Sequence, residues 1–409
     1  MKAMNWTMIG VTVLVMALAG QVSAQGPESA SVQGLQSDSQ FFESLNIGKD
    51  VIFNSAPKIG LLRNSPCNET KKDQLLRGAA ECNPGLVHDA LNNGTCIDVV
   101  DQDGNTPLIL TAQSNCTQIM SELLDKGASI EWQGQAGKTP LLTAAQAGNA
   151  NALGMLVQRG ANIEAKDYDG KTPLISAAEQ SSTDILNLLL ERKPNIEAKD
   201  NSGKTPLLSA TANSRIDAIK ILLNHKANIE AKDNDLRTPL YWAAARNDSA
   251  AASLLLDHNA NIEAKDSAGD TPLSIAVGNA ANDTVSIMIA HKANIETTNN
   301  DGQTPLLVAA LYQRGCKILP MLLNHGANIQ ARDNAGRNGL MLAVTLHGFR
   351  GLITDDFNPD GTIPFLIKKF PINARDNAGH TALWHAQNAF HWAYMDEVLD
   401  WLKGAGGTL

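Results

Sequence analysis

Between Thr205 and Thr238 the hydrophobic and polar positions follow one plan. Leu207, Leu208, Ala210 and Thr211 form a short, mostly apolar run, Asn213 to Arg215 a polar break, and Ile216, Ile219, Leu222 and Leu223 a second apolar run at helical spacing. Thr205 is a good N-cap, and Pro206 suits the first helical position, where its missing N–H costs nothing. The pattern predicts two short helices with a turn between them. His225-Lys226-Ala227-Asn228 ends the second helix, and Ile229 opens an extended stretch. Asp233-Asn234-Asp235 then makes a turn into the next Thr-Pro-Leu.

That plan recurs. Thr-Pro-Leu starts at Thr106, Thr139, Thr172, Thr205, Thr238, Thr271 and Thr304, always 33 residues apart. Asn338-Gly-Leu follows after 34 residues and Thr381-Ala-Leu after a further 43. Asp73-Gln-Leu-Leu-Arg-Gly-Ala-Ala, 33 residues before Thr106, keeps the Leu and small-residue positions and reads as an N-terminal capping repeat. One such unit cannot cover its own apolar faces, so neighbouring units must stack.

Period, helix–turn–helix plan and Thr-Pro-Leu motif together resemble the ankyrin repeat, from about Asp73 to Leu402. The resemblance implies an all-α solenoid of about ten helix–turn–helix units with short β-hairpin fingers. On this reading 73–105 is the N-terminal capping repeat, 106–380 the array with an insertion at about 348–361, and 381–409 the C-terminal capping repeat. Met395 to Lys403 is an amphipathic last helix with polar residues to cap the stack. Two departures stand out. The family's usual His after Thr-Pro-Leu is replaced by Ile109, Leu142, Ile175, Leu208, Tyr241, Ser274 and Leu307. At the end of the second helix Gly127, Gly160 and Gly326 give way to Lys226, Asn259 and Lys292, with an expected small cost in left-handed strain.

Ahead of the array, Lys2, the uncharged apolar stretch Met8–Leu18 and Val22-Ser23-Ala24 have the layout of a secretory signal peptide covering 1–24. The stretch is about half of what spans a bilayer, and no later one is longer and equally apolar, so no membrane insertion is expected. Residues 25–72 read as a flexible polar linker and N-terminal extension. The expected location is outside the cytoplasm, periplasmic first and secreted second. Among 409 residues, 33 Lys+Arg face 42 Asp+Glu, a net charge of −9. That balance lacks the basic surface needed to displace counterions from nucleic acid, and it points to a partner with a basic or neutral contact surface.

Five cysteines suit an oxidising compartment. Of three connectivities for the first four, the repeat register favours Cys82–Cys116, both near a turn between helices, and Cys67–Cys96, both near a finger end. Units about 10 Å apart must be displaced locally to bring Cα atoms within about 7 Å. Cys316 is left as a free thiol. His225, His258, His291 and His325 form a column at helix ends, where a cationic or donor ring favours the last carbonyls. Such spacing is too wide for one zinc. Asp356, Asn358 and Asp360 have the spacing of half a calcium loop, but Ile367 stands where the bidentate acid belongs. A solvated turn is the stronger reading, and no cofactor is expected.

The Asn-Ile-Glu-Ala-Lys-Asp fingers carry columns of Glu164, Glu197, Glu230, Glu263 and of Lys166, Lys199, Lys232, Lys265, read as solvated alternating charge. Tyr168, Asp169, Lys171, Asn201, Lys204, Asn234, Asp235, Arg237, Arg246 and Tyr312 vary from unit to unit. Variation inside a regular array marks a surface that packing does not dictate. The resemblance implies that these finger-tip and concave-face positions contact a partner protein. Trp132 lies on a finger, and Trp242 follows Tyr241 in a first helix. The chain has no Gly-rich phosphate loop, Gly-x-Ser-x-Gly, His-Glu-x-x-His or Cys-x-x-Cys. The expected function is therefore a non-catalytic protein-binding scaffold and a monomer. The alternatives are a secreted effector engaging a host protein and a periplasmic stress-protective scaffold for an enzyme.

Overall fold

Each Thr-Pro pair starts a helix. Thr139, Thr205, Thr238, Thr271 and Thr304 have extended backbone angles, and each Oγ1 accepts the N–H three residues ahead at 3.3–3.4 Å. Asn338 replaces the Thr without loss of the cap, its Oδ1 accepting Met341 N–H at 3.0 Å. The computed structural model describes residues 71–180, 182–312, 317–345, 362–389 and 395–409. The signal segment, residues 25–70, Cys67, Cys316 and the insertion with Asp356, Asn358 and Asp360 lie outside them.

Twenty α-helices result among the described residues, in ten pairs. They are Lys72–Ala80 with Pro84–Asn92, Pro107–Ser114 with Thr117–Asp125, Pro140–Ala147 with Ala150–Gln158, Pro173–Gln180 with Thr183–Leu190, and Pro206–Ala212 with Ile216–Asn224. The second five are Pro239–Ala245 with Ser249–Asp257, Pro272–Gly278 with Asn282–Ala290, Pro305–Leu311 with Ile318–Asn324, Gly339–Thr345 with Thr362–Lys369, and Ala382–Asn388 with Met395–Gly404. First helices stack on first helices and second on second. Leu174, Leu207, Leu240, Leu273, Leu306 and Leu340 form one buried column and Ala177, Ala210, Ala243, Ala276 and Ala309 another. The small second column is what lets the helices approach. Ile109, Leu142, Ile175, Leu208, Ser274 and Leu307, in place of the usual His, are buried too.

The fingers differ from the expected β-hairpins: no strand occurs among the described residues. Each finger is a tight turn closed on itself, as where Asp200 N–H donates to Lys204 O at 3.1 Å. Successive fingers meet through one backbone bond per step: Asn201 N–H to Asp169 O, Asn234 N–H to Ser202 O, Ser267 N–H to Asp235 O and Asn300 N–H to Ala268 O. One bond per step is too few for a ladder. The Glu and Lys columns do not pair with each other either. Glu131, Glu164, Glu197, Glu230, Glu263 and Glu296 each accept the backbone N–H of an Asn in the next unit at 2.7 Å. Lys166, Lys199 and Lys265 donate to the next unit's carbonyls at 2.7–2.9 Å. These charges stitch finger to finger, because an ionised group near an unpaired backbone dipole gains more than it does from a screened opposite charge in water.

Left-handed residues recur at the same places. The second helices end on Gly127 (φ 86°), Gly160 (φ 85°) and Gly326 (φ 91°), but on Lys193 (φ 55°), Lys226 (φ 66°), Asn259 (φ 63°) and Lys292 (φ 63°) in between. Lysine carries a Cβ penalty there that Gly escapes. Lys226→Gly or Lys292→Gly is expected to stabilise the fold by about 0.5–1 kcal/mol, net of the unfolded-state entropy glycine adds. A higher urea midpoint at unchanged slope would show it.

Two of the four helix-end histidines bond the last carbonyls as their position favours. His225, His258, His291 and His325 are all C-cap residues. The rings of His258 and His325 bond the carbonyls of Leu254 and Met321 at 2.8 Å through Nδ1.

Candidate functional site

The Asp at the base of each finger sets the local geometry. Asp233 is 3% exposed, and its Oδ1 accepts the N–H groups of Asp235 and Arg237 at 3.0 and 2.9 Å, closing the turn. Its Oδ2 accepts from Arg237 Nε at 2.9 Å and from Trp242 Nε1 at 3.1 Å. One carboxylate therefore joins the finger to the first turn of the helix Pro239–Ala245. The Arg237 guanidinium lies 4.6 Å from the Trp242 ring centre, and Lys204 Nζ from the preceding unit lies 4.3 Å from it. Two cations against one indole is a cation–π arrangement that also orients the ring.

Tyr241 stands edge-on to Trp242, with centroids 6.1 Å apart. Burial, with Asp266 nearby, pushes its phenol up to about 12, so it stays a hydrogen-bond donor throughout the physiological range. Leu236, at the tip of the same finger, is 47% exposed in a left-handed conformation, φ 62°. A bulky residue rarely occupies that region. The equivalent residues are Gly203 and Gly269, and each presses on the Asn of the following finger (Asn234, Asn300) so closely that a Cβ would overlap its carboxamide. After Leu236 the following residue is Ser267 instead of Asn. A leucine is thus admitted by a shortened neighbour.

The ten residues singled out by variation divide by role. Asn201 and Asn234 are rungs between fingers: their Nδ2 groups donate to Tyr168 O and Asn201 O at 2.9 Å. Asp169 contributes its backbone carbonyl to the same stitching. Lys171 pairs with Glu179 at 2.9 Å; burial works against its charge, but the pair outweighs it and the pKa sits above the ordinary lysine value. Lys204, Asp235 and Arg237 meet around Trp242, with Arg237 also on the Asp235 carboxylate. Tyr168 (61% exposed), Tyr312 (52% exposed) and Arg246 stand at the surface. The Tyr168 ring lies against Gly137. Trp132 is half-buried, its Nε1 donating to Gly104 O at 3.1 Å.

Leu236 and Asp233 were not among those ten. Aligning the fingers in register, with a leucine in a glycine column and a serine in an asparagine column, would have found the first.

Asp270 occupies the position held by Lys171, Lys204 and Arg237 in earlier units. Burial raises its pKa, with Asn299 Nδ2 donating to it at 3.1 Å in partial compensation. Its folded pKa lies above the unfolded value, so the fold gains stability as pH falls through the raised pKa and is penalised above it. Asp270→Asn is expected to raise the thermal midpoint at pH 7, with the gain closing below about pH 4, where an ordinary Asp is protonated.

The first two cysteines of the expected pairs are joined: Cys82 and Cys116 form a disulfide with Cα atoms 5.5 Å apart. Cys82 takes the left-handed turn position, φ 53°, and Cys116 sits one residue further along its own unit, as the N-cap of the next helix. That one-residue offset supplies the displacement the spacing of units required. Cys96 is disulfide-bonded as well, while Cys67, the partner expected for it, lies outside the described residues.

Stacked helix pairs, capped by Thr-Pro and joined by stitched fingers, define a helical repeat solenoid. A family model for ankyrin repeats (3 copies) matches in overlapping stretches, 76–167, 127–200, 163–233, 194–266 and 240–333, more than half of the chain together. The chain belongs to the ankyrin-repeat family, whose repeats are generally protein–protein interaction modules and typically non-catalytic. Comparison with curated proteins finds no match. Among the described residues no helix is long and apolar enough to cross a membrane.

Proposed function

We propose that this chain is an exported, non-catalytic scaffold that binds a partner protein across its finger tips and first helices, centred on the finger of Asp233. The observation that carries the reading is Leu236, an exposed leucine in a left-handed conformation on the finger whose Asp233 and Arg237 hold Trp242. Backbone strain at an exposed apolar tip favours a binding role over a packing one. Tyr168, Arg246 and Tyr312 would extend the contact to neighbouring units. Among the described residues no ion pair engages Lys204 or Arg246. The best-matched partner segment therefore offers an apolar side chain flanked by carboxylates, even though the chain as a whole is acidic. Preformed fingers lose little ordering entropy on binding.

The export reading rests on the signal-like first 24 residues and on disulfide bonding in the first units. Fractionation of the source cells, with N-terminal sequencing of the product, tests it: Gln25 as first residue in a periplasmic extract is the expected result. Recovery from the medium or from host cells would favour the effector alternative. For the binding surface, native partners are captured on the wild type and on a Tyr168→Ala, Leu236→Ser, Arg246→Ala variant. A partner lost by the variant at unchanged helicity supports the surface. A partner held equally by both moves the contact elsewhere.

A further inference from the structure

The last finger departs from the others at two positions. At Asp233, Oδ2 is filled by the Arg237 guanidinium and the Trp242 indole; at Asp333 it is filled by Arg337 Nε at 2.8 Å. Those donors carry fixed N–H groups and no lone pair to offer a metal. In the last finger the corresponding residues around Asp376 are His380 and His385. His385 Nε2 lies 2.8 Å and His380 Nδ1 3.8 Å from Asp376 Oδ2, and all three ligand atoms fall within 4.8 Å of one another.

The three side chains are held in place by their surroundings. Asp376 Oδ1 accepts the backbone N–H groups of Ala378 and His380, each at 2.9 Å, which fixes the carboxylate and presents Oδ2. His380 lies flat on Trp384, centroids 3.4 Å apart and planes within 2°. His385 stands perpendicular to both rings, at 89°. Asp376 and His385 are 6% and 12% exposed, and His380 is 33% exposed, so the cluster is sheltered but open on one side.

We propose that Asp376, His380 and His385 form a binding site for a divalent transition-metal ion, with zinc the best match. Two imidazoles and one carboxylate suit zinc and its neighbours and are a poor set for calcium or magnesium, which take oxygen ligands. Bonds of about 2.0–2.1 Å in tetrahedral geometry place ligand atoms about 3.4 Å apart. The separations of 2.8 and 3.8 Å from Asp376 Oδ2 straddle that value, each about half an ångström from it, and the two imidazole nitrogens lie within 4.8 Å of each other. Water takes the fourth place on the open side. Binding takes the place of the hydrogen bond between His385 Nε2 and Asp376 Oδ2. The ion would tie the finger to the helix Ala382–Asn388 and so fasten the last repeat.

The test is isothermal titration of the untagged full chain, stripped with chelator, against zinc chloride and separately against calcium and magnesium chlorides. One saturable zinc site per chain is expected, with no heat from the other two ions. His380→Ala and His385→Gln each lower zinc affinity about tenfold or more, while His258→Ala, which removes a histidine from another helix end, changes nothing. At equal zinc concentration the thermal midpoint of the wild type rises more than that of His380→Ala. His380 is the most exposed of the three, so this variant keeps the test valid should His385→Gln disturb the finger. No saturable heat at millimolar zinc, or zinc binding untouched by His380→Ala, overturns the proposal.

Discussion

A Cys82→Ser, Cys116→Ser variant is expected to lose about 3–4 kcal/mol, concentrated in the first repeat. The bond closes a loop with a sequence separation of 34 residues, which at the chain-entropy scale removes about that much from the denatured ensemble. The loss falls at the end of the stack because the helix Lys72–Ala80 has no side-chain cap at its start and has a neighbouring unit after it but none described before it. Further along, hydrogen bonds serve where the disulfide serves here. Asn149 Nδ2 reaches back to Ala112 O and Gln113 O at 2.9 and 2.8 Å, and Arg215 Nε to Glu179 O at 2.8 Å. Each such bond contributes about 1 kcal/mol. Hydrogen exchange read by mass spectrometry gives the check. Amides of 72–92 should lose protection in the variant while those of 206–290 keep theirs. Protection unchanged in 72–92 would mean that stacking alone holds the first unit.

Asp233→Ala is the second large effect. The substitution removes the acceptor for two backbone N–H groups, a guanidinium and an indole at a position only 3% exposed. Breaking a buried charged pair while leaving its partner in place costs about 3–5 kcal/mol, and part of that is recovered here because Arg237 is half-exposed and can turn to water. Asp233→Asn keeps one acceptor oxygen but sets an N–H₂ group against two donors, so an intermediate loss is expected. Both variants release Trp242 from its orientation. Partner affinity should fall in proportion, because Trp242 and Arg237 lose the carboxylate that orients them, and helical circular dichroism at 25 °C should remain. Chemical denaturation of the two variants beside wild type separates the cases: equal stability of Asp233→Ala and wild type would show that Arg237 and Trp242 do not depend on this carboxylate.

The helical part of this architecture was open to reading because two signals coincide at every unit. Thr205-Pro206 marks a start on chemical grounds, and 33 residues later the same start returns. The fingers were harder. Their extended Ile-Glu-Ala stretch looks like a strand, yet Asn234 meets the previous finger through one backbone bond and one carboxamide, so pairing never spreads. Asn201 and Asn234 looked variable because Tyr168 and Ser267 share their column, and variability was taken for freedom from packing. Their Nδ2 groups are in fact engaged on the previous finger. Around Asp233 the sequence shows Lys204, Arg237 and Trp242 but not their convergence, because that depends on the chain returning to the finger base nine residues later. The same return brings His385 to Asp376, and no short metal motif announces it.

The stitches also take no account of chain length between them. The step from Asn334 to Asn377 spans 43 residues where others span 33, yet Asn377 N–H still reaches Ala335 O at 3.0 Å and its Nδ2 reaches Asn334 O at 3.1 Å. The added residues fall in the chain between the helices Gly339–Thr345 and Thr362–Lys369, and so outside the fingers. Gene duplication or deletion in whole periods preserves the backbone stitches between fingers, provided Leu236 keeps Ser267 as its neighbour, whereas a one-residue slip within a finger breaks two. Descendants of such a gene should therefore drift first in copy number and in the connections between paired helices, and only late in the fingers themselves.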